Sequence, residues 1–552
     1  MTNNKFYTNV FIHNNVIYER GYENGVPYFR KVRFMPKIYT SNINSNTNIR
    51  CITEQNIKLE EHVFDSVSEL KKFCYSTEKT LYGNLNAVAQ YIDNAYQGVI
   101  SLDSQKVKKM FFDIETTAEE GFPYPEVCNQ EITLITCGYE KGKCITFSAY
   151  KQYTGNQSNV DFRYFDSEAE MLKNFIVWFE NEKPDIFSGY YSETFDVRYL
   201  FNRIKKVLNK QWLNRLSPVG NIAERKQYET GKEEPSIFYK ITGIQTLDYL
   251  DIYKKFHFGE VSSYKLDNIA ELEIGWRKIE NPTNTFKEFY NGTFEFKEIP
   301  EKFKDLECVQ LSYERYLAKE KYGEHSNEYA ILDAKTKQSF WNLFVEYNVR
   351  DVELLIMLEE KLSYLNLLMV ISFMQKCNFE DAMGTIAHWH NRLYSYLYNK
   401  GYVWKNPKGK INKESFEGGY VKAPQTGLHG YVVSFDYTSL YPTLIRALGI
   451  SPETFKGVID IDAEDLLEQK LDLSELIEKN LALGANGALY DNSVDGFLPE
   501  IITEIFNQRK KEKSAKQDYA RQIEELIKTL PDNIDIDEFN LEELENMLKE
   551  MN

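Results

Sequence analysis

Through residues 109–117, Met110, Phe112 and Ile114 alternate with Phe111, Asp113 and Glu115. Residues two apart on a β-strand share a face, so this period predicts a strand with one apolar face and two neighbouring carboxylates on the other. Partial alternation over residues 6–18 and 28–39 predicts half-buried strands near the start of the chain. Residues 131–138 and 144–150 read as two further strands joined by the turn at residues 140–143, the antiparallel start of a mixed sheet. Ser167 and Glu170 have the spacing of a capping box, and an amphipathic helix runs on to about residue 182, stopped by Pro184. Residues 185–189 make a short strand, after which Asp196 stands near a helix N-terminus. A hairpin is expected within residues 220–245, a helix over 246–256, a polar loop over 278–297 and a long helix over about 334–362. Residues 431–436 are β-prone and end in Asp436; the chain then turns into a helix with Pro442 in its first turn. Residues 506–513 read as a basic helical segment, and the acidic stretch from Pro531 spaces its apolar residues as an amphipathic helix would.

The chain has 552 residues, which exceeds one typical domain and leads us to expect three or four. Its composition, 42% apolar and 27% charged, is globular. A net charge of −17 argues against a surface coated in basic residues, yet nucleic-acid binding needs only local basic patches. The seven cysteines show neither a C-x-x-C pair nor zinc spacing, and read as reduced thiols of a cytosolic protein. With no apolar leader and no run of 18 apolar residues, neither a signal peptide nor a membrane contact is expected, and the chain reads as cytoplasmic. The first 107 residues carry no recognisable chemistry; they read as scaffold, with nucleic-acid contact as the alternative.

Two carboxylates side by side repel unless a positive charge lies between them, and hard divalent cations take oxygen ligands. The plain alternative is a half-exposed strand with two solvated acids. Asp196 has a plain reading too, since acids suit helix N-termini. Tyr347 and Asp351, four apart on the long helix, share a face and could be an ordinary surface pair. Together, however, Asp113, Glu115, Asp196 and Asp351 make the equipment for two-metal hydrolysis of a phosphodiester, with Tyr347 orienting the attacking water. The turn after Asp436 resembles a phosphate cradle of free backbone N–H groups with one acid beside it; an ordinary strand–helix connection is the alternative. Arg509 and Lys513, also four apart, can face one anion or form a solvated basic face.

Phe112-Asp-Ile-Glu115, Thr194-Phe-Asp196 and Tyr347-x-x-x-Asp351 resemble the three exonuclease motifs of family B DNA polymerases. Ser434-Phe-Asp-Tyr-Thr-Ser-Leu-Tyr-Pro442 resembles the first polymerase motif of that family, and order and rough spacing agree. The pattern is nearest to the replicative polymerases of T-even-type bacteriophages. The resemblance implies an α/β (α+β multidomain) chain: an RNase H-like 3′→5′ exonuclease domain with an N-terminal domain and a partial palm and fingers. The implied division is an N-terminal domain over 1–107 (returning at about 364–407), the exonuclease domain over 108–363, a partial palm over 408–492 and the start of the fingers over 493–552. It implies two Mg²⁺ (or Mn²⁺) ions per active site, held by Asp113, Glu115, Asp196 and Asp351 for proofreading and by Asp436 for synthesis. The backbone carbonyl of Tyr437 would help Asp436, and Ser439 and Leu440 would line the nucleotide site. Tyr441 would stack under the incoming sugar, and Arg509 and Lys513 would grip the triphosphate. Implied partners are DNA primer–template, single-stranded 3′ ends, dNTPs and a sliding clamp, in the host cell cytoplasm if the gene is a phage's.

Two departures bear on this reading. The second exonuclease motif usually opens with Asn, where this chain has Tyr191. The family's later fingers motif, K-x-x-x-N-S-x-Y-G, and its D-T-D turn are not found; Asn486-Gly-Ala-Leu-Tyr490 imitates the former only superficially. The expectation is therefore the N-terminal part of a split polymerase, whose second chain carries the remaining palm, fingers and thumb; a truncated piece is the alternative. Two other classes stay open: a stand-alone 3′→5′ exonuclease, and a non-catalytic DNA-binding or assembly subunit.

Overall fold

The computed structural model describes residues 5–54, 57–140, 142–157, 160–227, 235–407, 423–437, 439–462, 465–466 and 468–529. The chain forms two compact units, one of residues 1–39, 61–79 and 83–396, the other of residues 40–60, 80–82 and 397–552.

The first unit is built on a six-stranded sheet in the order Val160–Tyr164, Lys143–Ser148, Ile132–Glu140, Lys109–Thr116, Ile186–Gly189, Gln245–Asp248. Ile132–Glu140 pairs antiparallel with both of its neighbours, and the other pairs are parallel, so the mixed sheet has its expected antiparallel start. The Lys109–Thr116 strand is central and covered on both faces. Met110, Phe112 and Ile114 join a core with Phe175 and Phe179 of the helix Glu168–Glu182 and Leu200 and Ile204 of the helix Asp196–Val207. The long helix Asn327–Leu362 packs on the other face, on the side of Asp113 and Glu115. Gly138 permits its approach: a Cβ there would meet Ile356 Cδ1 at 3.0 Å and Val352 Cγ1 at 3.3 Å. The acids thus stand under a helix, which removes the reading of a half-exposed strand with solvated carboxylates.

An antiparallel three-stranded sheet of Lys5–His13, Val16–Glu23 and Val26–Val32 belongs to the same unit. The strand expected over residues 6–18 is in fact two, because Asn14 and Asn15 take left-handed φ values of 48° and 60° and make a two-residue hairpin. The hairpin within 220–245 is present as Ile222–Gln227 paired with Ser236–Ile241. The helix expected over 246–256 begins later. Residues Gln245–Asp248 add an edge strand to the main sheet, and Asp248 then caps the helix Tyr249–Phe256. The loop expected over 278–297 contains a short helix, Phe286–Asn291, and the long helix starts at Asn327, where Ser326 caps it by accepting from Tyr329 N.

In the second unit, Leu440–Ala447 and Phe497–Thr529 are helices, and Pro442 lies in the first turn of the former. The strand expected over 431–436 does not form. Val432 and Phe435 are 75% and 92% exposed, and no strand pairs with this run among the described residues. β-prone side chains favour a strand only where they pack against neighbours, and no described strand covers these. Most of the basic connector after Lys405 and the acidic stretch from Pro531 lie outside the described residues. All seven cysteines are free thiols. Among the described residues no helix is long and apolar enough to cross a membrane.

Candidate active site

The strand register puts Asp113 and Glu115 on one face, and the long helix crosses that face with Tyr347 and Asp351 one turn apart. Carboxylate oxygens of Asp113, Glu115 and Asp351 lie within 4.8 Å of one another. Asp196, the first residue of its helix, stands outside that trio. It takes backbone N–H bonds from Ile114 and from itself, and its charge reaches Asp113. All four protons are held tightly. Burial comes first in each case. It raises Asp113 well above the usual carboxylate range, with the charges of Asp196, Asp351 and Glu115 adding to it. Glu115 is pushed up to about 8, by burial and then by Asp351. Burial brings Asp196 to about 7 against its backbone N–H bonds. It brings Asp351 to about 6, with Lys278 pulling the other way.

The nearby groups show what such a site can hold. Asn348 Nδ2 donates to Asp113 Oδ2 at 2.6 Å. Lys278 Nζ meets Asp351 Oδ2 at 2.5 Å, donates to the Tyr347 hydroxyl at 3.2 Å and lies 5.1 Å from the centre of that ring. Asp351 Oδ1 is buried without a hydrogen-bond partner among the described residues. A buried carboxylate oxygen with no donor, beside two more carboxylates, fits a hard divalent cation, and an all-oxygen donor set suits Mg²⁺ or Mn²⁺. A single lysine ammonium balances only part of this charge. Tyr347 is fixed among the rings of Phe286, Phe289 and Phe344, its hydroxyl beside the acids.

Asp196 is delivered by a short turn after the strand Ile186–Gly189, and Asp248 holds that turn. Asp248 Oδ1 accepts from Tyr191 N at 2.9 Å and Leu250 N at 3.0 Å, and Oδ2 accepts from Glu193 N at 3.1 Å. One carboxylate therefore caps a helix and pins the Asp196 turn. Tyr191 takes a left-handed φ of 59°, a conformation that Asn adopts far more readily than Tyr. The position where the family pattern has Asn is thus one with a backbone reason for it. Gly189 is equally constrained, since a Cβ would meet Ser192 Cβ at 2.7 Å and the Phe112 carbonyl at 2.9 Å.

Sequence reasoning missed three members of this site. Asn348 was within reach, because it lies three residues before Asp351 on the same helical face. Asp248 had a cap signal, though nothing in the pattern linked it to residues 191–193. Lys278 comes from an irregular stretch with no period to read.

The residues expected to bind nucleotide lie in the second unit. Asp436, Tyr437 and Tyr441 are exposed. Ser439, with a left-handed φ of 53°, precedes the helix Leu440–Ala447, whose first residue is Leu440. Arg509 Nη1 donates to Ser439 Oγ at 2.9 Å, and the Arg446 guanidinium lies over the Phe506 ring at 4.9 Å. The structure therefore brings Arg509 to the start of that helix; Lys513, one turn further on, is exposed.

Two stretches of the chain match models of one protein family. Residues 42–269 match the family description "DNA polymerase family B, exonuclease domain", and residues 387–532 match "DNA polymerase family B". The first match includes Asp113, Glu115 and Asp196; Tyr347 and Asp351 lie beyond it. The chain is 26% identical over 452 residues to the DNA-directed DNA polymerase of Escherichia phage RB69, covering 77% of this chain and 44% of that protein. It is 26% identical over 559 residues to the DNA-directed DNA polymerase of Enterobacteria phage T4, covering 95% and 56%. DNA polymerase II of Escherichia coli (strain K12) is 24% identical over 359 residues, covering 64% and 37%. The chain spans about half the length of the two phage relatives.

Proposed function

Because the chain carries an exonuclease domain and a polymerase-domain stretch of family B DNA polymerases, we propose that it is part of a DNA-directed DNA polymerase and itself removes nucleotides from DNA 3′ ends. The observation that carries this reading is the cluster of half-buried Asp113 and Glu115 with buried Asp351, their carboxylate oxygens within 4.8 Å of one another. These three, with Asp196, would hold two Mg²⁺ or Mn²⁺ ions. Such ions stabilise charge on a phosphoryl oxygen and lower the pKa of a bound water. Tyr347, fixed by its aromatic neighbours, orients the water through its hydroxyl. Lys278 steadies Tyr347 and Asp351 and adds positive charge where the phosphate arrives. Asn348 fixes the Asp113 carboxylate. Hydrolysis of the terminal phosphodiester then releases a nucleoside 5′-monophosphate and leaves a new 3′-hydroxyl.

For synthesis, Asp436 with the Tyr437 carbonyl would bind metal, and Tyr441 would stack under the sugar of a dNTP. Ser439, Leu440, Arg509 and Lys513 would receive the triphosphate; the Arg509–Ser439 hydrogen bond supports this placement. The division into segments 1–107, 108–363, 408–492 and 493–552 belongs to the same proposal. So does completion of the palm, fingers and thumb by a second chain, with a sliding clamp as a further partner. Primer extension tests the whole reading. With Mg²⁺, the chain alone should shorten single-stranded DNA from its 3′ end, and Asp113→Ala should slow this by more than about 100-fold, since even outer partners of metal ligands cost 10- to 100-fold. Full activity in Asp113→Ala would refute the assignment. Synthesis should appear only when a chain with the later motifs is added; synthesis by this chain alone would refute the need for a partner.

A further inference from the structure

A cavity of about 650 Å³ lies in the first unit, outside the site described above. The strands Lys109–Thr116, Ile186–Gly189 and Gln245–Asp248 run parallel, and Lys108, Asp185 and Ile244, each just before one of them, line the cavity. Asp113 and Glu115 lie towards the other end of these strands, so the cavity and the acids occupy opposite ends of the sheet. Its volume is in the range that holds small ligands. Phe29, Pro27, Phe179, Leu216 and Pro218 supply an apolar and aromatic wall, and Phe29 keeps 44% of its surface exposed.

The charged lining is unequal: five cationic residues, Arg20, Lys106, Lys108, Lys183 and Arg215, against the three carboxylates Glu180, Glu182 and Asp185. Arg20 is committed to Asp185 and to backbone carbonyls, Lys108 to Glu182, and Arg215 to Glu180. Lys106 and Lys183 also line the cavity; both are exposed, and neither ammonium group has a hydrogen bond or ion pair among the described residues. Two uncommitted cations beside an aromatic wall match a flat heteroaromatic body carrying a phosphate. We propose that this cavity binds a free nucleoside 5′-monophosphate, the compound the exonuclease reaction releases. The choice of ligand rests on the exonuclease reading.

Equilibrium dialysis of labelled deoxyadenosine 5′-monophosphate against the full chain in EDTA tests this without turnover. Saturable one-to-one binding is expected. It should weaken about tenfold in Lys106→Glu and in Lys183→Glu, as for loss of one charge-assisted contact. Deoxyadenosine and inorganic phosphate should each bind at least about tenfold more weakly than the nucleotide. Thermal melts establish that the variants fold; if either does not, Lys106→Gln and Lys183→Gln replace them. Absence of saturable binding, or unchanged binding in both folded variants, overturns the proposal. So does displacement by a 5′-phosphorylated trinucleotide as strong as by the mononucleotide, which would assign the cavity to a strand end. If the chain fails to degrade DNA, the exonuclease reading falls, while the dialysis result stands or falls separately.

Discussion

Glu115 and Asp196 hold their protons up to about 8 and 7, because burial beside other carboxylates disfavours the charged forms. An unfolded chain releases the same protons near pH 4. Between these limits the native state binds more protons than the unfolded state, so stability falls as pH rises. In EDTA, the melting temperature should drop between pH 6 and pH 8, and the drop should be smaller in the double variant Asp113→Asn, Glu115→Gln. Parallel pH curves for the two proteins would show that these acids do not set the slope. Added Mn²⁺ should raise the melting temperature more at pH 8 than at pH 6, because binding to the native state alone stabilises it and the acids must be deprotonated to bind.

One turn, residues 190–195, positions Asp196, and Asp248 holds it from the next strand. Asp248→Asn leaves one carbonyl oxygen for three N–H donors. The expected result is an exonuclease kcat about tenfold lower, the scale for partners that orient metal ligands, with KM nearly unchanged. Asp248→Ala should also cost about 1–2 kcal/mol in urea denaturation, since it removes a helix cap. An unchanged kcat in Asp248→Asn would mean that the turn holds its shape without this carboxylate. Elements of this kind mark the limit of what a sequence shows. The acids Asp113 and Glu115 were readable because a strand's period of two places them together, and Tyr347 with Asp351 because a helix's period does the same. Asp248 was not readable as a positioning group, because its partners are backbone N–H groups brought near by parallel strand pairing. The stretch 431–436 was misread for the complementary reason: its composition favours a strand, but a strand needs neighbours that composition does not supply.

For the first unit as a whole, Asp185 joins the N-terminal sheet to the main one. Its Oδ1 accepts from Thr8 Oγ1 at 2.8 Å and Arg20 Nη2 at 3.2 Å, and its Oδ2 from Tyr22 at 2.7 Å and Lys108 N at 3.0 Å. Arg20 also donates to the carbonyls of Lys183, Pro184 and Gly243. Its replacement by Ala strands a buried carboxylate and should cost about 3–5 kcal/mol in urea denaturation. A loss below about 1 kcal/mol, the scale of a surface pair, would refute this accounting. The same contacts limit how such a gene can recombine. A crossover near residue 108 would leave Asp185 with one donor from its own side and none of the three contributed by Thr8, Arg20 and Tyr22. The sheet that carries the acids is therefore inherited together with the opening strands, and a graft of the acids alone into another scaffold would leave Asp185 short of donors at the far end of the sheet.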